Sequence, residues 1–336
     1  MKITAKSPCR VDLAGGTLDI WPLYLYHQNA VTVNFAVDRY TTCELITRSD
    51  SKIILRSADH RAEETFESFE ALKSASKYKL PLLAYVVRFF HPEGGFELNT
   101  NSEAPSGAGI SGSSSLIISI ASVLNRLKGT GYNIEKIREI SQNIEAQIIR
   151  VPTGCQDYYP AMYGGVGAIE LSAVGIVRKP ISVDLADLNE RFVLAYTGEP
   201  RNSGINNWEV TKAHINGDRA VHRNFARIAA IAHGMRSALE KADWTEAARL
   251  LREEWSNRKK NAPGITTPLI DKLVEVTRKS GAQGAKACGA GGGGCVFFLV
   301  ERGAKERVSE LIVQSGGQVL RVSAAPRGVQ VKAAAQ

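Results

Sequence analysis

Apolar residues recur along this chain with two different periods, and the changes of period mark out its elements. Near the start, KITAKSPCRVDLAGG alternates weakly between polar and apolar positions and stops at a double glycine. AVTVNFAV and TTCELITR are rich in β-branched residues and predict two strands separated by the polar stretch DRY. FESFEALKSASKYKLPLLAYVVRFF carries a helical pattern in which Pro81 must stand at an end or a kink. GGFELNTNS predicts a short strand.

After Ser115 the spacing lengthens. Leu116, Ile117, Ile120, Leu124 and Leu127 recur at helical intervals, and Gly129 stops the run. Ile134, Ile137, Ile140, Ile144 and Ile148 step by three or four in a second helix, which places Glu145 at the border of the buried stripe. That helix ends near VPTGCQD, where Pro152 and Gly154 force a turn. GGVGAIEL predicts another strand. From about residue 190 the pattern starts again: a strand in RFVLAYTG, amphipathic helices through residue 259, the run GAKACGAGGGGC, the strand VFFLV, and a last helix and strand. The expected division is residues 1–187 and residues 188–336.

Composition narrows the class. The chain has 336 residues, more than one compact core usually holds, so two domains are expected. Hydrophobic residues at 44% and charged residues at 23% are ordinary for a globular protein. The net charge of +8 is spread along the chain, without the basic stripe and interleaved aromatics of a nucleic-acid binder, and it suits anionic small substrates. The five cysteines contain no Cys-x-x-Cys, which argues against a disulfide framework or a zinc site and for reduced, cytoplasmic thiols. The six histidines show no metal-ligand spacing. No stretch reads as a signal peptide or a membrane span, so no membrane partner is expected.

Three glycine-rich loops carry the candidate chemistry. EAPSGAGISGSSS sets Gly107, Gly109 and Gly112 before Ser113, Ser114 and Ser115 at the start of a helix. Glycines let the backbone approach an anion, and a helix N-terminus offers free N–H groups and a positive dipole end. A structural cap would use the same residues, so these alone leave both readings open. GAGISG also fits the dinucleotide pattern. However, Glu103, Ala104 and Pro105 separate it from the preceding strand and another helix follows, so that reading ranks lower. There is no Walker A sequence and no kinase-type H-R-D. SPCRVDLAGGTLD places Arg10 and Asp12 on one face of a strand beside Gly15 and Gly16. CGAGGGGC precedes an apolar strand, and so many glycines mark a close backbone approach.

In this order, SPCRVDLAGGTLD, EAPSGAGISGSSS and KACGAGGGGC resemble the three motifs of the GHMP kinase superfamily, and their spacing covers nearly the whole chain. RVDLAGGTLD and the chain length are most similar to the sugar-kinase branch that phosphorylates D-glycero-D-manno-heptose 7-phosphate at the anomeric carbon. The resemblance implies an α+β fold of two domains, the first like ribosomal protein S5 and the second ferredoxin-like. It implies ATP and Mg²⁺ as cofactors, a sugar or sugar phosphate as acceptor, and room for a homodimer.

Residue by residue, the resemblance implies that Pro105, Gly107, Ala108, Gly109, Ile110, Ser111, Gly112, Ser113 and Ser114 hold ATP. Ser113 and Glu145 would coordinate Mg²⁺. Asp157 matches the catalytic aspartate, and Arg10 would pair with it and stabilise charge on the moving phosphoryl group. Asp19, Gly16, Thr17, Arg201 and Gly291 match substrate-side positions, Arg201 toward a second phosphate. The chain departs from the family twice. Ser111 and Gly112 stand where Gly then Ser is usual, and Gly-Gly-Thr-Leu-Asp replaces the Gly-Gly-Trp-Thr-Asp of the heptose enzymes. Alternatives are another acceptor, as in galactokinase-, fucokinase- or mevalonate kinase-like enzymes, or a relative that binds ligands without catalysis.

Overall fold

The computed structural model describes residues 1–200 and 203–334. Two sheets organise them. The first contains β1 (Lys2–Ala14), β2 (Val31–Thr47), β3 (Ile53–Ser57), β4 (Ala62–Phe66), β5 (Phe96–Ser102), β6 (Val166–Ser172) and β7 (Gly175–Ile181). The second contains β8 (Phe192–Tyr196), β9 (Ala282–Ala287), β10 (Cys295–Val300) and β11 (Gln318–Leu320) in the order β11-β8-β10-β9. A final strand, β12 (Gln330–Ala334), returns to the first sheet and pairs antiparallel with β1, with Lys2 opposite Ala334. The first sheet runs β12-β1-β2-β5-β3-β4, and β6 and β7 extend it from the other half of β2. This is the α+β architecture expected.

The two strands predicted on either side of DRY are one. β2 runs unbroken for 17 residues through Asp38, Arg39 and Tyr40. Its register against β1 shifts there, with Pro8 opposite Tyr40 and Cys9 opposite Val37. A β-bulge absorbs the extra polar residues, so the strand bends where the sequence suggests a break. The long 66–90 pattern divides instead, into α1 (Phe69–Ser74) and α2 (Pro81–Phe90), with Pro81 in the first turn of α2.

α3 (Gly112–Lys128) and α4 (Ile134–Ile149) match their periodicity. Gly129 ends α3 at φ 65°, and Asn133 starts α4 by accepting from Lys136 N at 2.9 Å. α3 lies on β1 and β2 with Ile117, Ile118, Ile120 and Leu124 fully buried, each contributing about 1.5–3 kcal/mol of hydrophobic stabilisation. A polar seam fixes its height on the sheet. Ser115 Oγ donates to Ser7 O at 3.0 Å, and Ser119 Oγ donates to Ser7 Oγ at 2.8 Å.

α5 (Tyr158–Tyr163), α6 (Leu185–Glu190), α7 (Ser203–Ile215), α8 (Arg219–Glu240), α9 (Trp244–Arg258), α10 (Pro268–Arg278) and α11 (Lys305–Gln314) complete the helices. α8 contacts β1 and β2, and α9 contacts β1 and β9, so these helices join the two sheets. Among the described residues no helix is long and apolar enough to cross a membrane. All five cysteines are buried.

Candidate active site

A cavity of about 320 Å³ opens where the 102–114 turn, the Thr17–Ile20 segment, the start of α5 and the end of α9 meet. All three glycine-rich loops of the sequence reach this place.

The turn before α3 is built by left-handed backbone. Gly107 (φ 65°), Gly109 (φ 78°) and Ser111 (φ 62°) alternate with ordinary residues, a pattern that forms anion-binding nests. Its carbonyls are tied to the scaffold. Ala108 O accepts from Cys295 N at 2.7 Å, Gly109 O from Arg10 Nη1 at 2.7 Å, and Ile110 O from Arg10 N at 3.0 Å. Gly294 lies so close behind the turn that a Cβ there would stand 2.7 Å from Ala108 O. The departure at positions 111 and 112 has a structural expression. Ser111 holds the left-handed conformation that glycine usually takes, with its Oγ buried and unpartnered among the described residues. At Gly112 a Cβ would crowd Ala104 Cβ at 3.2 Å.

Glu145, buried on α4, points at the first turn of α3. It accepts from Ser113 Oγ at 2.6 Å, from Ser114 Oγ at 3.0 Å and from the Tyr158 hydroxyl. Burial raises its pKa, and the hydrogen bonds from the three hydroxyls offset only part of that rise. Glu145 and Ser113 both line the cavity, and their hard oxygens suit a cation such as Mg²⁺.

Asp157 sits at the N-cap position of α5, yet its side chain makes no capping hydrogen bond. Instead it accepts from Arg10 Nε at 3.0 Å and Arg10 Nη2 at 2.5 Å, both on Oδ1. Arg10 is buried within β1 while the Asp157 side chain is a quarter exposed to the cavity. Burial works against the guanidinium charge, but Asp157 and Asp12 outweigh it and push its pKa up. Asp19 is buried alongside. Its Oδ2 accepts from Gln156 N at 2.9 Å, and an isolated bridge pairs Ile20 with Gly154. Burial, then the neighbouring Asp157 charge, raises the Asp19 carboxyl to about 6.

Beneath these residues lies a charge cluster that spacing did not reveal. Asp12 is fully buried, paired with Lys286, and accepts from Gly289 N at 2.9 Å. Arg10 stands 3.7 Å and Arg258 3.5 Å away. Burial would raise the Asp12 pKa, but Lys286, Arg10 and Arg258 overwhelm that and hold it far below the carboxylate range. Arg258 also donates to Thr17 Oγ1 at 3.0 Å and lines the cavity. It lies 241 residues from Thr17, and no motif links the two.

Of the substrate-side expectations, Thr17 and Asp19 line the cavity. Gly16 lies just behind it, where a Cβ would meet Arg258 Nη1 at 2.6 Å. Gly291 is placed differently. It packs on Ile265, whose carbonyl would stand 2.3 Å from a Cβ, and Gly289 and Ala290 of the same loop line the cavity instead. Arg201 lies outside the described residues. Pro105, Gly107, Ala108, Gly109, Ser111, Gly112, Ser113 and Ser114 line the cavity, while Ile110 is buried below it. The dinucleotide reading fails on topology, because α3 runs directly into α4 and no parallel βαβ unit forms around GAGISG.

Two family models, GHMP kinases N terminal domain and GHMP kinases C terminal, match residues 75–165 and 235–314, together about half the chain. D-glycero-alpha-D-manno-heptose 7-phosphate kinase of Campylobacter jejuni is 28% identical over 98% of both chains. The fold is shared with a D-glycero-D-manno-heptose 1-phosphate kinase from Bacteroides thetaiotaomicron (TM-score 0.77, 22% identity, 99% of this chain and 100% of that one). It is also shared with Lactococcus lactis galactokinase, solved with galactose (TM-score 0.80, 20% identity, 98% and 95%).

Proposed function

The chain belongs to the GHMP kinases, and we propose that it is a sugar kinase that moves the γ-phosphoryl group of ATP to the anomeric C1 hydroxyl of D-glycero-D-manno-heptose 7-phosphate. One observation carries this reading: the Arg10–Asp157 pair opens onto the same cavity as the glycine–serine turn that starts α3. Phosphoryl transfer needs positioning and charge neutralisation more than covalent chemistry, and this arrangement supplies both.

The free N–H groups at the start of α3 and the nest before it bind the nucleotide phosphates. Ser113 and Glu145 would hold Mg²⁺, which when bound neutralises charge on those phosphates. Asp157 accepts a hydrogen bond from the C1 hydroxyl and aims its oxygen at the γ-phosphorus. The new bond is O1–Pγ, the broken one links Pγ to the bridging oxygen of ADP, and the hydroxyl proton leaves toward Asp157. Arg10 orients Asp157 through its two hydrogen bonds and stabilises negative charge on the transferring group. Asp19, Thr17 and Arg258 line the side of the cavity where the sugar hydroxyls lie. A panel of sugars and sugar phosphates, followed by ADP release, tests the reading. The heptose 7-phosphate should give the highest kcat/KM, and turnover of galactose or mevalonate alone would overturn it.

A further inference from the structure

Away from the cavity, three histidines that are scattered in the sequence come together. His27 follows a single helical turn at residues 23–26, His214 lies in α7, and His222 lies in α8. One ring nitrogen from each lies within 4.8 Å of the other two. His27 and His214 are buried and His222 is half-buried. His27 Nε2 and His214 Nε2 face each other at 2.8 Å. His222 Nε2 donates to His214 O at 2.8 Å, which leaves the lone pair of His222 on Nδ1. That is how metal-binding imidazoles are commonly fixed, with the second nitrogen anchored to a carbonyl.

The proton inventory does not close within the protein. Only one proton can lie between the two facing Nε2 atoms. Whichever ring carries it, His214 Nδ1 remains buried without a hydrogen-bond partner among the described residues. A buried polar atom left in this way is destabilising unless something outside the protein satisfies it. Phe225 stacks on His27, and Tyr26 lies against His214, so the cluster sits among aromatic rings. An ion bound there would take a lone pair from each of the three imidazoles.

The geometry points to a second metal site, in which His27, His214 and His222 bind one divalent transition ion of the zinc class. Three imidazoles suit zinc, cobalt, nickel or copper and are poor ligands for Mg²⁺. With three imidazoles bound, water would fill the fourth position. His27 follows the Thr17–Ile20 wall of the cavity, and α7 carries Asn207, which also lines it. The ion would therefore pin α7 to the segment that faces it across the cavity. Its role is structural, and it stays separate from the Mg²⁺ that accompanies ATP.

The test titrates the chelator-stripped full chain with Co²⁺, whose visible absorption reports the number and kind of its ligands. One equivalent should give the intense bands of a four-coordinate nitrogen site, and excess Mg²⁺ should not displace it. His214→Ala and His222→Gln should each weaken Co²⁺ binding by at least about tenfold. Zn²⁺ should raise the melting temperature of the parent protein and leave both variants unmoved. His222 is the safer position if His214→Ala fails to fold. Absorption no different from the aqueous ion, displacement by Mg²⁺, or equal binding by parent and His222→Gln would each overturn the site.

Discussion

Arg10 grips Asp157 through two nitrogens that converge on a single carboxylate oxygen, Oδ1. The other oxygen lies outside that pair, on a side chain a quarter exposed to the cavity, while the arginine beneath is almost completely enclosed. A carboxylate held by one oxygen from behind keeps a fixed direction and one oxygen for an acceptor hydroxyl. Asp157→Asn should therefore lower kcat by about 10²–10⁴ and change ATP affinity little. Steady-state ADP release beside equilibrium nucleotide binding checks both halves.

Arg10→Lys keeps the charge but loses the planar fork that reaches Asp157 and Gly109 O together. It should reduce kcat at least about tenfold, and it should also raise the KM for ATP, because the Gly109 carbonyl loses its anchor. A kcat effect with unchanged KM would show that the turn is held by other contacts.

Glu145→Gln should raise the Mg²⁺ concentration needed for half-maximal activity by at least about tenfold, because a neutral amide is a weak ligand for a hard cation. Activity measured over a Mg²⁺ series at fixed ATP gives the answer, and an unshifted curve would remove Glu145 from the metal's surroundings.

Asp19 gives a pH dependence whose sign follows from its raised pKa of about 6. Below that pH the buried carboxyl is neutral, and above it the charged form would be the stronger hydrogen-bond acceptor for the hydroxyls of the proposed sugar. The acceptor KM should fall as pH rises through about 6, and Asp19→Asn should flatten the profile. Stability runs the other way. Ionisation of Asp19 costs the folded free enzyme more than the unfolded chain, so this residue's contribution declines as pH rises from the ordinary carboxylate range through about 6. An acceptor KM that stays level between pH 5 and 8 in the parent enzyme would contradict the assignment.

Asp12→Asn removes the nearest counter-charge of buried Lys286, leaving only Glu254 Oε1 at 4.0 Å among the described residues, and should destabilise the fold by about 3–5 kcal/mol in urea unfolding. Adding Lys286→Met should recover a substantial part. If the double variant is no more stable than the single one, the hydrogen bond from Gly289 to Asp12 matters more than the ion pair.

What the sequence disclosed, it disclosed through local signals. The stripes of α3 and α4, the stop at Gly129 and the break at Pro81 are written within a few residues of where they act, and periodicity reads them. The three glycine loops and Asp157, which the structure brings to one cavity, could be singled out because each sits in a short motif. β2 misled because a bulge, which is settled by pairing with β1, lets a strand pass through Asp38, Arg39 and Tyr40. Arg258 and Lys286 were silent for a related reason. Each joins the site from more than 200 residues away, and a lone basic residue on a helix or strand looks the same whether it faces water or Asp12. Gly291 was misplaced because a run of glycines does not say which of them faces the cavity and which packs on Ile265.

The pairing of β1 with β12 joins strands more than 300 positions apart. A ribosome adding about 5–20 residues per second needs roughly 15–60 s to cover that distance. For that time the outer flank of the strand bearing Arg10 presents unsatisfied N–H and C=O groups to whatever strand comes near. The nascent enzyme thus carries a timed vulnerability: slow translation or a shortage of chaperone should divert it into aggregates before the closing strand arrives.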